Sequence, residues 1–224
     1  MVSLFSPTSL GTLELKNRIV MAPMTRSRST ENGAVTDLMA GYYGQRASAG
    51  LIVSEGIAPS ENGKGYCRTP VLDSPERADG WRPVTSAVHQ SGGLIVAQAM
   101  HCGRIAHRDN KAPDAETVAP SAVRAAGEMY TDSNGLQPFD QPRELTEDEV
   151  SGVVAEYRRF AALAVEAGFD GVELHGTSGY LPAQFLCTGT NRRTDAYGGP
   201  VRNRIRFVVE ALHAMADEVG ADRI

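Results

Sequence analysis

The sequence predicts an α/β fold built on a parallel sheet. Three observations carry this. Short apolar runs of strand length recur along the chain, each is followed by a longer segment with helical spacing, and the strand runs are nearly continuous in Val, Ile and Leu. Strand–helix alternation requires crossovers, and crossovers make neighbouring strands parallel. Continuous apolar strands are what burial on both faces demands.

The elements follow in order. RIVMAPM at 18–24 has strand character, and DLMAGYYGQRASAG at 37–50 has helical spacing ending in glycine. GLIVSEG at 50–56 is a second strand. The segment 74–93 opens with Ser74 as N-cap and Pro75 at the first helical position. GLIVAQAM at 93–100 is a third strand. The polar stretch 101–145, rich in Pro, Asp and Asn, is too long for an ordinary connection and predicts a hairpin or a functional excursion. Thr146 with Glu149 forms a capping box. The helix behind it places Val150, Val153, Val154, Tyr157, Phe160, Ala161 and Ala164 on one stripe. GVELHG at 171–176 is the fourth strand, and a last helix carries Ile205, Val208, Val209, Leu212, Met215 and Val219.

Two architectures fit four such units: a doubly wound sheet or the first part of a (β/α)8 barrel. No GxGxxG follows the first strand, which weighs against a dinucleotide fold. Polar residues cluster instead at the carboxyl ends of the strands, at Met24–Thr25, Glu55–Gly56, Gln98–His101 and His175, where barrel enzymes build their sites. The 224 residues allow a sizeable core, and the formal net charge of −5 argues against a general nucleic-acid surface. No run of 18 apolar residues predicts a membrane span and no signal peptide is evident, so a cytoplasmic protein is expected. Cys67, Cys102 and Cys187 lie far apart and read as reduced thiols.

Convergence of four strand ends brings distant residues to one face. Thr25 offers a hydroxyl. Gln98 offers an amide that donates and accepts at once, matching a pyrimidine-like edge. Each alone reads as a turn or strand-end residue. His101 and His107 flank Arg104 in HCGRIAH, but no third metal ligand is suggested, and hydrogen-bonded loop histidines are expected. His175 and Tyr180 form the sharper pair: an imidazole can stabilise negative charge developing on a carbonyl oxygen, and a neutral phenol can deliver a proton. Packing of both against the next helix is the competing reading. Arg192, Arg193 and Asp195 in TNRRTDAYGG predict a local ion-pair network that fixes a loop.

Six segments taken together resemble the old yellow enzyme family of FMN-dependent ene-reductases. They are NRIVMAPMTRSRS (17–29), YYGQRASAGLIVSEG (42–56), KGYCRTPVL (64–72), AQAMHCGRIAH (97–107), AGFDGVELHGTSGYLPAQFL (167–186) and TNRRTDAYGG (190–199). The resemblance runs over essentially the whole chain. It implies a TIM barrel of which only about the first four β/α units are present. Residues 1–17 would form an N-terminal β-hairpin, and 101–145 an excursion after the third strand. It implies non-covalent FMN at the carboxyl ends, with NAD(P)H as reductant and an enone or nitro compound as substrate. Thr25 would meet the flavin C4 carbonyl, Pro23, Met24 and Gly56 would line the ring, and Gln98 would bind the pyrimidine edge. His175 would grip the substrate oxygen beside the flavin, Tyr180 would donate the proton, and Tyr66 and Met100 would line the substrate pocket. Ser178 stands where the family usually has His or Asn as second oxygen ligand; its shorter reach implies weaker carbonyl activation or a shifted substrate range. The family's arginine at the flavin and its phosphate site lie in the half not represented here. The alternative expectation is a non-catalytic half-barrel that forms a homo-oligomer or needs a complementary barrel half, because a four-stranded parallel piece has two edges to cover.

Overall fold

A computed structural model describes residues 3–224. Strands β1 (Thr8–Leu10) and β2 (Leu13–Leu15) pair antiparallel as a hairpin turned at Gly11, whose φ of 57° suits a residue without Cβ. β3 (Val20–Met21), α1 (Asp37–Gly44), β4 (Leu51–Ile57), α2 (Pro75–Gln90) and β5 (Ile95–Ala99) follow. The long segment after β5 holds β6 (Val118–Ala119), β7 (Glu128–Thr131), β8 (Gly135–Pro138) and β9 (Arg143–Glu144). β7 and β8 form an antiparallel hairpin, and β6 pairs with β9. Then come α3 (Glu147–Glu166), β10 (Gly171–Leu174), α4 (Leu181–Leu186), α5 (Val201–Arg204) and α6 (Arg206–Val219).

β3, β4, β5 and β10 make one parallel sheet in the order of their appearance in the chain. That order never reverses, so the sheet has no switch point of the doubly wound kind; it advances in one direction, as a barrel wall does. Register sorts its side chains into two faces. Ile52, Ile57, Ile95, Ala97 and Val172 point to the helices, where Tyr43, Trp81, Tyr157, Phe160 and Phe207 complete the main core. Leu51, Val53 and Val96 face the concave side and pack with Leu15 of the hairpin, which covers the lower end. Above them the same face carries Gly56, Gln98 and Glu173, aligned in one row across β4, β5 and β10. The register shift between Val53 and Gly56 turns the end of β4 so that Gly56 joins that row.

Helix ends follow the sequence signals. Ser74 accepts the Arg77 N–H at 3.3 Å, with Pro75 in the first turn. Thr146 accepts the Glu149 N–H at 3.2 Å while the Glu149 carboxylate accepts the Thr146 N–H at 2.8 Å, closing the capping box. Three spans differ from expectation. The first strand is confined to Val20–Met21, because Pro23 has no N–H to continue the ladder and an extended loop follows. The first helix stops at Gly44 and finishes in turns before β4. The last helical region is two pieces, α5 and α6, meeting at Ile205 rather than continuing through it.

Candidate active site

The carboxyl ends of β3, β4, β5 and β10 open toward one rim, and the loops leaving them carry the polar residues. The loop after β3 holds Pro23, Met24 and Thr25. Arg26 in that loop donates its N–H to Glu55 Oε2 at 3.3 Å, tying it to the end of β4. Glu55 is buried; it also accepts from the Tyr43 hydroxyl at 3.2 Å, and its own N–H donates to that hydroxyl at 2.7 Å. Burial pushes its carboxyl up to about 7, against the opposing Arg26 and Tyr43 hydrogen bonds. Thr25 is exposed at the rim, and Met24 lines a shallow cavity of about 600 Å³ at the outer edge of β3 with Phe5, Ile19 and Met21.

Gly56 is buried, and a Cβ there would collide with the Met100 thioether. Met100 is therefore packed against the end of β4, at the floor of the rim. Gln98 is held twice: its N–H donates to Ser54 Oγ at 3.0 Å, and its side-chain amide donates to Glu173 Oε1 at 2.6 Å.

β10 ends with the His175 N–H donating to the Ala99 carbonyl at 3.0 Å. The turn that follows contains Ser178 and Gly179, both at positive φ (57° and 78°), and brings Tyr180 back as the N-cap of α4. The His175 and Tyr180 rings meet edge to face with centroids 4.8 Å apart. Tyr66 reaches across from a loop 114 positions earlier, placing its hydroxyl 2.9 Å from that of Tyr180. His175 Nδ1 accepts the Thr177 N–H at 3.4 Å, which leaves the ring proton on Nε2. Partial burial lowers the affinity of His175 for a second proton, with Glu173 opposing, so the ring is neutral at pH 7. Burial, then the Tyr66 hydroxyl, hold the Tyr180 phenol well above its ordinary range, so it is fully protonated.

Pro23, Thr25, Gly56, Gln98, His175 and Tyr180 thus lie on the loops and strand ends of one rim. Tyr180 is in direct contact with both Tyr66 and His175. Ser178 is exposed in the turn. His101 is buried with Nδ1 accepting the Gly103 N–H at 3.1 Å; burial, reinforced by Lys111, lowers it to about 3. His107 accepts the Asp109 N–H at 3.2 Å, so both are loop-fixing residues. Among the described residues no three His, Cys, Asp or Glu side chains cluster as metal ligands. The network predicted for 192–195 needs correction. Arg193 pairs with Asp195 as expected and in addition reaches the Pro120 and Leu145 carbonyls, whereas Arg192 is exposed and forms no ion pair among the described residues.

Sequence reasoning missed Gln184. Buried on α4, it donates to the Cys102 and Gly179 carbonyls at 3.0 and 2.8 Å and accepts the Arg104 N–H at 3.1 Å, stapling the loops after β5 and β10 together. A polar residue on the buried side of a short helix was the available signal. Glu173 was also missed; a carboxylate at an inward position of an apolar strand was the signal there.

A one-directional barrel wall that carries an amide, a neutral imidazole and a phenol at its carboxyl ends is the arrangement on which α/β-barrel proteins place their sites. A profile of the NADH:flavin oxidoreductase / NADH oxidase family matches residues 3–224, and the chain belongs to that family. It is 43% identical over 99% of its length to a flavin oxidoreductase of Emericella nidulans, of which it spans 58%. It is 40% identical over 99% of its length to a probable flavin mononucleotide-dependent alkene reductase of Leishmania infantum, of which it spans 62%. Its fold matches an old yellow enzyme homologue from Zymomonas mobilis with a TM-score of 0.95 at 42% identity, covering 99% of this chain and 61% of the other. The chain therefore has the fold of the first four β/α units of a TIM barrel and spans about three-fifths of these relatives.

Proposed function

We propose that this chain forms the substrate-side half of an FMN-dependent ene-reductase site, reducing activated C=C bonds of α,β-unsaturated carbonyls or nitroalkenes with NAD(P)H. The observation that carries the reading is the contact of a neutral His175, its Nε2–H without a partner among the described residues, with a fully protonated Tyr180. The residues present fit the flavin. Gln98 offers an acceptor and a donor suited to the imide edge of the pyrimidine ring, Thr25 offers a hydroxyl, and Gly56, without a side chain, makes room for Met100 beside them. Pro23 and Met24 belong to the same strand-end loop. All these contacts are non-covalent.

When bound, FMN supplies the two-electron chemistry. The chain's residues do the rest. His175 Nε2–H donates to the substrate oxygen and stabilises the charge that develops there; the Ser178 hydroxyl adds a second donor of shorter reach. Tyr180 gives its proton to the substrate α-carbon, and the electron pair of the broken O–H bond stays on its oxygen. Tyr66 and Met100 border the pocket that holds the substrate.

The test is a titration with FMN followed by flavin fluorescence, then oxidation of NAD(P)H in the presence of 2-cyclohexenone or a nitroalkene. The reading expects flavin uptake and substrate-dependent oxidation. Absence of both contradicts it. A second reading rests on the outer strands: among the described residues β3 and β10 each pair on one side only, beside the concave apolar Leu51, Val53 and Val96. It makes the chain a half-barrel that covers those edges with a second copy or a complementary half, and it predicts a colourless oligomer by native mass spectrometry.

A further inference from the structure

We propose that Glu173 is a positioning residue that fixes which way round Gln98 presents its amide, so that Gln98 reads an imide edge, an N–H flanked by carbonyls. The ligand class rests on the function proposed above; the orientation rests on geometry alone. Gly56, Gln98 and Glu173 form one row across three strands on the concave face. Below that row the face is apolar, with Leu51, Val53 and Val96. Glu173 is the charged member of this inward set, and it forms no ion pair among the described residues. Its contact is with Gln98, 2.6 Å from Oε1 to the side-chain nitrogen.

An amide is ambiguous by itself, since its oxygen and nitrogen can exchange places by a half-turn. A carboxylate removes the ambiguity because it only accepts. The group facing Glu173 is therefore the NH2, and Gln98 Oε1 is turned to the other side of the amide. The backbone cannot shift to compensate, because the Gln98 N–H is anchored on Ser54 in the turned end of β4. One N–H of the amide is held by Glu173. The second N–H and the oxygen remain as an adjacent donor and acceptor, the complement of a carbonyl beside a ring N–H. A ring methylated at that nitrogen would offer no proton to Oε1.

The test uses the intact chain and Glu173→Gln, which keeps the size of the side chain but can present either a donor or an acceptor. In the wild type, selective 15N-glutamine labelling should show one Gln98 side-chain amide proton shifted far downfield and slow to exchange. The resonance is assigned by its loss in Gln98→Leu. In Glu173→Gln it should return to the ordinary range, with the melting temperature unchanged because residue 173 is exposed. Fluorescence titration should show the wild type preferring FMN over N3-methyl-FMN by about tenfold, the equivalent of one unpaired hydrogen-bonding group, and Glu173→Gln losing most of that preference. An ordinary Gln98 amide signal in the wild type, or one indifferent to Glu173→Gln, would overturn the proposal. So would a wild-type preference for FMN that survives the substitution. If the wild type binds neither flavin, the function proposed above falls, and the amide signal alone still decides the orientation.

Discussion

Two clusters of polar side chains sit on neighbouring loops, and they differ in how fully their hydrogen bonds are satisfied. Around Arg193 the groups are closed on one another. The guanidinium donates to the Pro120 and Leu145 carbonyls and to both oxygens of Asp195. Asn191 donates to the Phe185 and Tyr197 carbonyls at 2.7 and 2.8 Å, and the Tyr197 hydroxyl donates to Glu210 at 2.8 Å. Around His175 the groups are held only from behind. Nδ1 faces the turn, Tyr180 faces Tyr66, and the imidazole Nε2 is left for something else. A closed network is a scaffold; a network anchored on one side and open on the other is a site.

The largest expected effect breaks the closed cluster. Arg193→Leu leaves Asp195 unpaired and two buried carbonyls without a donor, and should cost about 3–5 kcal/mol in urea unfolding. Tyr180→Phe, by contrast, should shift stability by less than about 1 kcal/mol. Equal losses would erase the distinction between the clusters.

Next in size is Glu55, a buried carboxylate behind the rim. Its folded pKa of about 7 lies above its unfolded value of 4.5, so the folded state holds the proton more tightly. Its contribution to stability is intact below pH 4.5, falls as the pH rises from 4.5 to 7, and is fully lost above 7. The loss amounts to about 3 kcal/mol. Thermal melts from pH 5 to 8 should show the wild type weakening relative to Glu55→Gln; a constant difference across that range would refute the assignment.

A smaller effect is expected at the capping box, where Thr146→Ala should cost about 1 kcal/mol by chemical denaturation without changing ligand affinity. The smallest is at Ser178, whose φ of 57° is uncommon for serine and better tolerated by asparagine. Ser178→Asn should stabilise the chain by less than about 1 kcal/mol and, with its longer reach, raise turnover of enones. A slower enone reaction would remove Ser178 from the oxygen-binding role.

The frame of this molecule was legible because it rests on local pattern. Ser74–Pro75 and Thr146 with Glu149 announce helix starts, and the apolar runs at 50–56 and 93–100 are strands buried on both faces, while β10 within 171–176 is buried only at Gly171 and Val172. Periodicity alone left doubly wound sheet and barrel open, since strand order is a long-range property; the missing GxGxxG, the polar strand ends and the six family-like segments pointed to the barrel. At the rim, His175 and Tyr180 could be paired because they are five positions apart. The Tyr66–Tyr180 hydrogen bond could not be read, as it closes a loop of 114 positions. Arg193 looked like a partner of its neighbours, yet its two carbonyl acceptors lie 73 and 48 positions away.

The central claim is that the open cluster does chemistry on the substrate. Rapid-mixing measurement of the two half-reactions in FMN-loaded Tyr180→Phe tests it most directly. Reduction of the flavin by NAD(P)H should stay near the wild-type rate, while reoxidation by an enone slows by about 10²–10⁴. Equal slowing of both half-reactions, or of neither, would contradict it.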